Sequence, residues 1–325
     1  MEYKTLGRSG LQVSVVGLGC MNFGMMNDEA ESAEVVHKAM DLGVNLFDTA
    51  DVYGERGRSE QWLGNALGRR RPEVIVATKF AGPMSSERFD MQGGSRRYIM
   101  QAVEASLQRL GTDYIDLYQM HRFDADTPVE ETLRALDDLV RQGKVRYFGS
   151  SNYAAWQVTE AEWIARSGNL NRFISAQNRY SLLTRDIEKD LVPACQRYGI
   201  GILPYFPLES GLLTGKYPKG EPAPEGTRLA KWASFAAGAF ASDDKVEKVE
   251  ALREVCSRYD HSLLDMAIGW LASRPAVSSV IAGVTSPQQL EQNVKAGLWQ
   301  PTDEVLAEID EITAPPQESF GPPRR

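Results

Sequence analysis

The sequence predicts an α/β chain folded as a (β/α)8 barrel, the TIM-barrel architecture, on three observations. Short β-branched runs alternate with longer amphipathic segments, the runs number eight, and no Pro-, Gly- or Ser-rich linker divides the first 205 of the 325 residues. Parallel strands need such crossover segments, and eight βα units suffice to close the sheet. A doubly wound open sheet is the other arrangement of the same alternation. The pattern implies one domain over residues 1–314 and a Pro-rich tail over 315–325.

Taken in order, YKTLGRSGLQVS alternates around Gly7 to Gly10 and reads as an N-terminal β-hairpin that could plug one end of the fold. The strands are expected at residues 15–18, 44–47, 74–78, 115–119, 145–148, 173–176, 200–204 and 278–282. Apolar residues at three- and four-residue spacing predict helices over 30–42, 60–67, 96–110, 129–141, 154–166, 185–198, 243–259 and 287–296. Asp260-His261-Ser262 opens one more helix, which ends at Arg274-Pro275, and residues 302–313 form a C-terminal helix. A long Pro/Gly-rich loop over 206–242 follows the seventh strand, and loops of that length usually have a function or are disordered. VVGLGC imitates the start of a dinucleotide fingerprint, but Asn22 stands where the last Gly belongs and the next helix waits until about Asp28.

Composition narrows the function. A net charge of -8 and a pI near 5.2 argue against general affinity for nucleic acid or anionic membranes, which require a basic face. Cys20, Cys195 and Cys256 are dispersed, as are His37, His121 and His261, so no metal framework is expected and a reducing compartment is. The N-terminus lacks the apolar core of a signal peptide and no run of about 18 apolar residues occurs, so the expectation is a soluble, cytoplasmic protein.

In a barrel the chemistry stands at the C-terminal strand ends, and here those ends are polar. Asp48 closes the second strand, Lys79 the third and His121 the fourth; Ser151 and Asn152 follow the fifth, Gln177 the sixth, and Tyr205 the seventh. Lys79 ends the apolar run VIVAT, where a lone ammonium would be costly unless Asp48 neutralised it. Tyr53, in the loop after Asp48, would then be a proton donor whose pKa the nearby cation lowers, with His121 placed to orient a carbonyl oxygen or share its proton. Ser151, Asn152 and Gln177 carry a hydroxyl and two amides suited to a carboxamide, and Tyr205 a flat face for a ring. Together they describe a nicotinamide site. Singly, each is more often a cap or packing residue.

These motifs resemble the aldo-keto reductase superfamily over residues 3–313, and within it the branch of bacterial reductases and voltage-gated potassium channel β subunits. FDTADVYG, VIVATKF and DLYQMHRFD are similar to the segments carrying its Asp/Tyr/Lys/His tetrad, here Asp48, Tyr53, Lys79 and His121. GKVRYFGSSN and AQNRYS resemble the carboxamide-binding segments. ILPYFPLESGLLTGKY resembles the nicotinamide-stacking and pyrophosphate-binding segment, which implies cofactor roles for Tyr205, Leu208, Gly211 and Lys216, with Arg228 further along the loop. GVTSPQQLEQN resembles the adenosine-phosphate segment, implying Gly283, Thr285, Gln289 and Asn293. Met21, Phe80 and Arg122 are implied to line the substrate pocket.

Four departures stand out: Phe206 replaces a frequent Ser, Gln292 a commonly acidic residue, and Met21 and Arg122 replace pocket tryptophans of the aldose reductase branch. The implied activity is reversible hydride transfer from NADPH to an aldehyde or ketone, with NAD as the alternative cofactor. The alternative function is a nicotinamide-binding, redox-sensing subunit with incidental turnover. Those channel subunits are similar in lacking His at the position of His121, so its presence here favours catalysis.

Overall fold

Side chains along a strand go alternately to opposite faces, and the computed structural model of the chain, which describes residues 1–217 and 242–315, shows what each face meets. A hairpin of β1 (Tyr3–Thr5) and β2 (Gln12–Ser14) precedes a repeated βα series. The series runs β3 (Val16–Gly19), α1 (Glu29–Asp41), β4 (Leu46–Asp48), α2 (Tyr53–Leu67), β5 (Ile75–Phe80), α3 (Arg96–Leu110), β6 (Ile115–Met120) and α4 (Val129–Arg141). It continues through β7 (Val145–Ser151), α5 (Ala155–Ser167), β8 (Ser175–Gln177), α6 (Leu191–Tyr198) and β9 (Gly201–Ile202). After the long loop come α7 (Asp243–Tyr259), α8 (Leu263–Ser273), β10 (Val280–Gly283), α9 (Pro287–Gly297) and α10 (Asp303–Thr313).

Strands β3 to β9 pair in chain order, all parallel, and β10 pairs with β3. The ring closes between β9 and β10: Ile202 bridges Val277, Ser278 N donates to Ile202 O at 3.0 Å, and Ile281 N donates to Pro204 O at 2.9 Å. The expected barrel is therefore present, with all eight strands.

Two apolar layers hold it. The inner one, with Leu46, Ile75, Ala77, Leu117, Leu203 and Ile281, fills the barrel, and Leu6 and Val13 of the hairpin segment complete it as a plug. Gly7 makes that plug fit: at φ +54°, a Cβ there would sit 2.7 Å from Gly199 O. The outer and larger layer lies between the strands and the helices.

The elements depart from expectation in three places. Residues 185–198 form a 3-10 turn and the short α6, because Arg185 is held by Glu188 and, across the molecule, by Asp310 and Thr313. Strand β9 is shorter than 200–204, since Pro204 has no N–H for the ladder. The helix expected at 60–67 has a longer lead-in, α2, whose first residues are not right-handed helix. VVGLGC leads into a 3-10 turn at Cys20–Asn22, and α1 begins only after the Asp28 capping box. Among the described residues no helix is long and apolar enough to cross a membrane.

Candidate active site

Strand parity builds the site. On β5, Ile75 and Ala77 belong to the inner layer, so the same parity turns Lys79 inward at the strand end. On β4, Leu46 is inner and Asp48 follows two residues later. Lys79 is fully buried; its Nζ donates to Asp48 Oδ2 at 2.6 Å and to Thr49 O at 2.9 Å. The second oxygen, Asp48 Oδ1, accepts from Gln177 Nε2 at 2.7 Å and Gln119 Nε2 at 3.3 Å. A buried ammonium is several kcal/mol out of place without such partners, and here both charges are paired and hydrogen-bonded.

Tyr53 sits beside this pair, half-buried, with Lys79 Nζ 5.0 Å from its ring centroid. The His121 ring, carried just past β6, meets it edge-on at 5.7 Å and 83°. The loop is pinned to β5, since Asp51 N donates to Lys79 O at 3.1 Å. Directly after Tyr53 the chain makes a left-handed turn, Gly54 to Arg56, with φ of 62°, 59° and 66°. Gly54 is required there, because a Cβ would lie 2.6 Å from Phe23 O.

The charges set the protonation states. Burial pushes the Lys79 ammonium down, but Asp48 and Tyr53 more than offset it, and Lys79 ends above its ordinary value. Burial likewise pushes the Tyr53 phenol up, and the pull of Lys79 does not cancel it. The expectation of a lowered Tyr53 pKa is thus corrected: desolvation outweighs the cation, and Asp48, which neutralises that cation, adds to the rise. His121 is pushed down to about 3 by burial and by the positive charges of Lys79 and Arg122, so its imidazole is neutral at physiological pH. Its ring nitrogens make no hydrogen bond to the described residues.

The expected cofactor residues fall into three groups. Ser151, Asn152, Gln177 and Tyr205 stand together at the mouth: Asn152 Nδ2 donates to Ser151 Oγ at 3.1 Å and His121 O at 2.9 Å, and Tyr205 Oη donates to Asn152 Oδ1 at 2.7 Å. Gln177 is tied by its amide nitrogen to Asp48, which leaves its oxygen to accept. A second group follows β9: Leu208 packs against the outer layer, and Gly211, at φ +98°, lies against Lys216, whose Nζ is 5.4 Å from the Tyr217 ring. The third is the β10–α9 junction, where Gly283 is exposed, Thr285 N and Oγ1 donate to Gln289 Oε1 at 2.9 and 3.2 Å, and Asn293 is buried. Arg228 lies outside the described residues, as does most of the tail.

Of the pocket residues, Met21 is half-buried in the turn after β3 and Arg122 is exposed beside His121. Asp124, a potential partner for Arg122, instead accepts from Gly94 N at 2.7 Å and Thr127 Oγ1 at 2.7 Å. Arg122 makes no ion pair with the described residues. Phe80 is a correction: one residue past Lys79 it takes the opposite parity, is fully buried in the outer layer and stacks on Tyr118 at 4.7 Å. It does not face the mouth.

Sequence reading missed three residues. Gln119, paired in register with Lys79, carries a polar amide on the inward parity of Leu117, a signal that was legible. Asp51 is fully buried two residues before Tyr53, and neither carboxyl oxygen has a hydrogen-bond partner among the described residues. Glu209 is fully buried at the root of the long loop.

Comparison with known proteins agrees with this geometry. The sequence model of the aldo/keto reductase family matches residues 15–314. The chain is 40% identical to a probable voltage-gated potassium channel subunit beta of Oryza sativa subsp. japonica, over 96% of each chain. It is 36% identical to an uncharacterized oxidoreductase, YrpG, of Bacillus subtilis (strain 168), again over 96% of each. To the versiconal hemiacetal acetate reductase of Aspergillus parasiticus it is 33% identical, over 97% of this chain and 98% of that one.

Proposed function

The chain belongs to the aldo/keto reductase family, and we propose from that premise that it reduces an aldehyde or ketone to the alcohol with NADPH, Tyr53 being the acid. As a member it is an NAD(P)-dependent oxidoreductase. The observation that carries the assignment of roles is the fully buried Lys79, held by Asp48 and Thr49 O beneath the Tyr53 ring, with a neutral His121 edge-on to the same ring.

The resting Tyr53 is a neutral phenol, the state a proton donor needs. As its proton passes to the carbonyl oxygen, the phenolate left behind faces the Lys79 ammonium, whose attraction grows with the developing negative charge. Asp48 keeps that ammonium protonated and fixed. His121, uncharged and with ring nitrogens that no described residue engages, orients the carbonyl oxygen by a hydrogen bond and does not supply the proton.

The residues at hand suit a nicotinamide nucleotide, which when bound supplies the hydride. Ser151 Oγ can donate to, and Gln177 Oε1 accept from, a carboxamide. Ser210 Oγ, buried in the segment after β9, has no hydrogen-bond partner among the described residues, which leaves a hydroxyl donor for a phosphate oxygen. The phosphorylated cofactor is favoured by Lys216 and by Arg228 in the long loop, since a 2′-phosphate needs fixed cationic donors. Arg122 at the mouth favours carbonyls bearing anionic or oxygen-rich groups.

Turnover of a carbonyl panel by purified protein with NADPH tests this reading, together with Tyr53→Phe. The variant should lose about 10²-fold to 10⁴-fold in rate while still binding cofactor. A variant keeping more than about a tenth of wild-type turnover removes Tyr53 as the acid. The relatives named as channel β subunits support a second reading, a subunit whose bound cofactor reports redox state. Tight cofactor binding with no turnover on any carbonyl would favour it.

A further inference from the structure

We propose that Glu209 is a positioning residue for the nucleotide-binding segment after β9, setting how tightly the cofactor is held. This rests on the reading of residues 205–216 as that segment, and goes beyond it by naming what holds the segment in shape.

Glu209 is fully buried in a turn that also buries Ser210, Leu212 and Leu213, while its neighbour Leu208 is half-buried. A buried carboxylate at the root of a loop needs partners, and this one has four. Arg179 donates to both oxygens, at 3.2 Å from Nε and 2.5 Å from Nη2. Ser181 Oγ donates at 2.8 Å, Thr184 Oγ1 at 3.0 Å and Lys245 Nζ at 2.9 Å. These partners come from two places far apart in the chain: the stretch just after β8, and α7, beyond the long loop. Glu209 therefore joins the segment to the strand end that bears Gln177, and ties the chain before the long loop to the helix after it. Burial would raise its pKa, but the hydrogen bonds and charges of Arg179 and Lys245 win, and the carboxylate stays well ionised.

The backbone around it explains why such anchoring is needed. Phe206, Glu209, Ser210 and Gly211 have φ of 53°, 45°, 57° and 98°. Three of the four carry side chains, so this shape persists only because the surroundings impose it. It also places Ser210 Oγ, buried and without a hydrogen-bond partner among the described residues, and Gly211 against Lys216. Without the carboxylate, Arg179 and Lys245 would lose the acceptor they share, and the turn would relax.

The test uses the full chain as wild type, Glu209→Gln and Lys245→Met. The measurements are NADPH affinity by quenching of protein fluorescence, KM for NADPH and kcat with one carbonyl substrate, and thermal melts with and without cofactor. Glu209→Gln should raise both Kd and KM for NADPH by at least about tenfold, while kcat at saturating cofactor changes less than about threefold. Lys245→Met, which keeps the Arg179 pair, should move Kd in the same direction by a smaller factor and shrink the cofactor-induced rise in Tm. A purely structural glutamate would lower Tm and leave Kd unchanged, and that result in a folded variant overturns the proposal. If Glu209→Gln does not fold, Lys245→Met decides alone, and a wild-type Kd for it refutes the positioning role. A wild type that binds neither NADPH nor NADH overturns the reading of residues 205–216 itself, and the inference falls with it.

Discussion

Asp51 should make this protein less stable as pH rises from about 4 to about 8. Its carboxyl is fully buried behind the site, and among the described residues neither oxygen has a partner at hydrogen-bond geometry. Five groups from four elements act on it or lie beside it: Glu60 on α2, Arg109 and Tyr98 on α3, Lys79 on β5 and Tyr118 on β6. The cation that acts on it most strongly is already claimed, because Arg109 Nε donates to Glu60 Oε2 at 2.6 Å. Burial, then the charge of Glu60, push Asp51 from 3.8 up to about 8, against the opposing pull of Arg109.

The sign follows from proton binding. Between those two values the folded chain keeps a proton that the unfolded chain has released, so stability falls with pH across that window and levels off above it. Roughly four pH units at about 1.4 kcal/mol each amount to on the order of 5 kcal/mol. Relaxation and water entry around a real ionised group reduce that figure, and at least about 2 kcal/mol should survive. Asp51→Asn keeps the shape and removes the proton, so the stability of the variant relative to wild type should climb by that amount from pH 4.5 to pH 8. Urea unfolding of both proteins at four pH values measures it. Taking the difference cancels the other carboxylates, and any constant penalty of burying the amide leaves the slope untouched. A difference constant to within about 0.5 kcal/mol across the range refutes the argument.

Three further outcomes are expected. Lys79→Met should cost about 10²-fold to 10⁴-fold in carbonyl reduction and move the Tyr53 ionisation further up; a pH profile that overlays the wild type's would end the role given to Lys79. Arg122→Ala should lower kcat/KM about tenfold for carboxylate-bearing aldehydes and hardly alter it for plain alkyl ones, whereas an equal loss on both would place Arg122 outside substrate recognition. The ratio of catalytic efficiencies with NADPH and NADH should exceed one for the wild type and fall in Arg228→Ala. A wild type preferring NADH, or a ratio unmoved by the substitution, removes the loop clamp.

Much of this protein was legible in one dimension because parallel strands and their crossover helices leave periodic apolar marks. Seven of the eight strands stand within a residue or two of the β-branched runs, β7 runs three residues beyond its run, and α3, α4 and α7 begin and end at their predicted residues. Asp48, Lys79, His121, Ser151 and Gln177 could be named as strand-end residues because a charge or amide closing an apolar run is visible as an interruption.

What the linear pattern did not carry depends on direction and distance. Phe80 reads as well for a pocket as for the core, and only its parity after Lys79 sends it outward onto Tyr118. The Tyr53 pKa turns on whether burial or Lys79 dominates, a balance set by packing. Glu209 and Lys245 are separated by the long loop, and Asp51 is an unremarkable acid in a loop until its burial is known. The sequence by itself determined the barrel, the family and the identity of the residues at its mouth, since these follow from period and residue type. Tertiary structure alone decided which carboxylates are paired, which is left without a cation, and which strained turn a buried glutamate must hold, because charge interactions depend on distances that chain order does not encode.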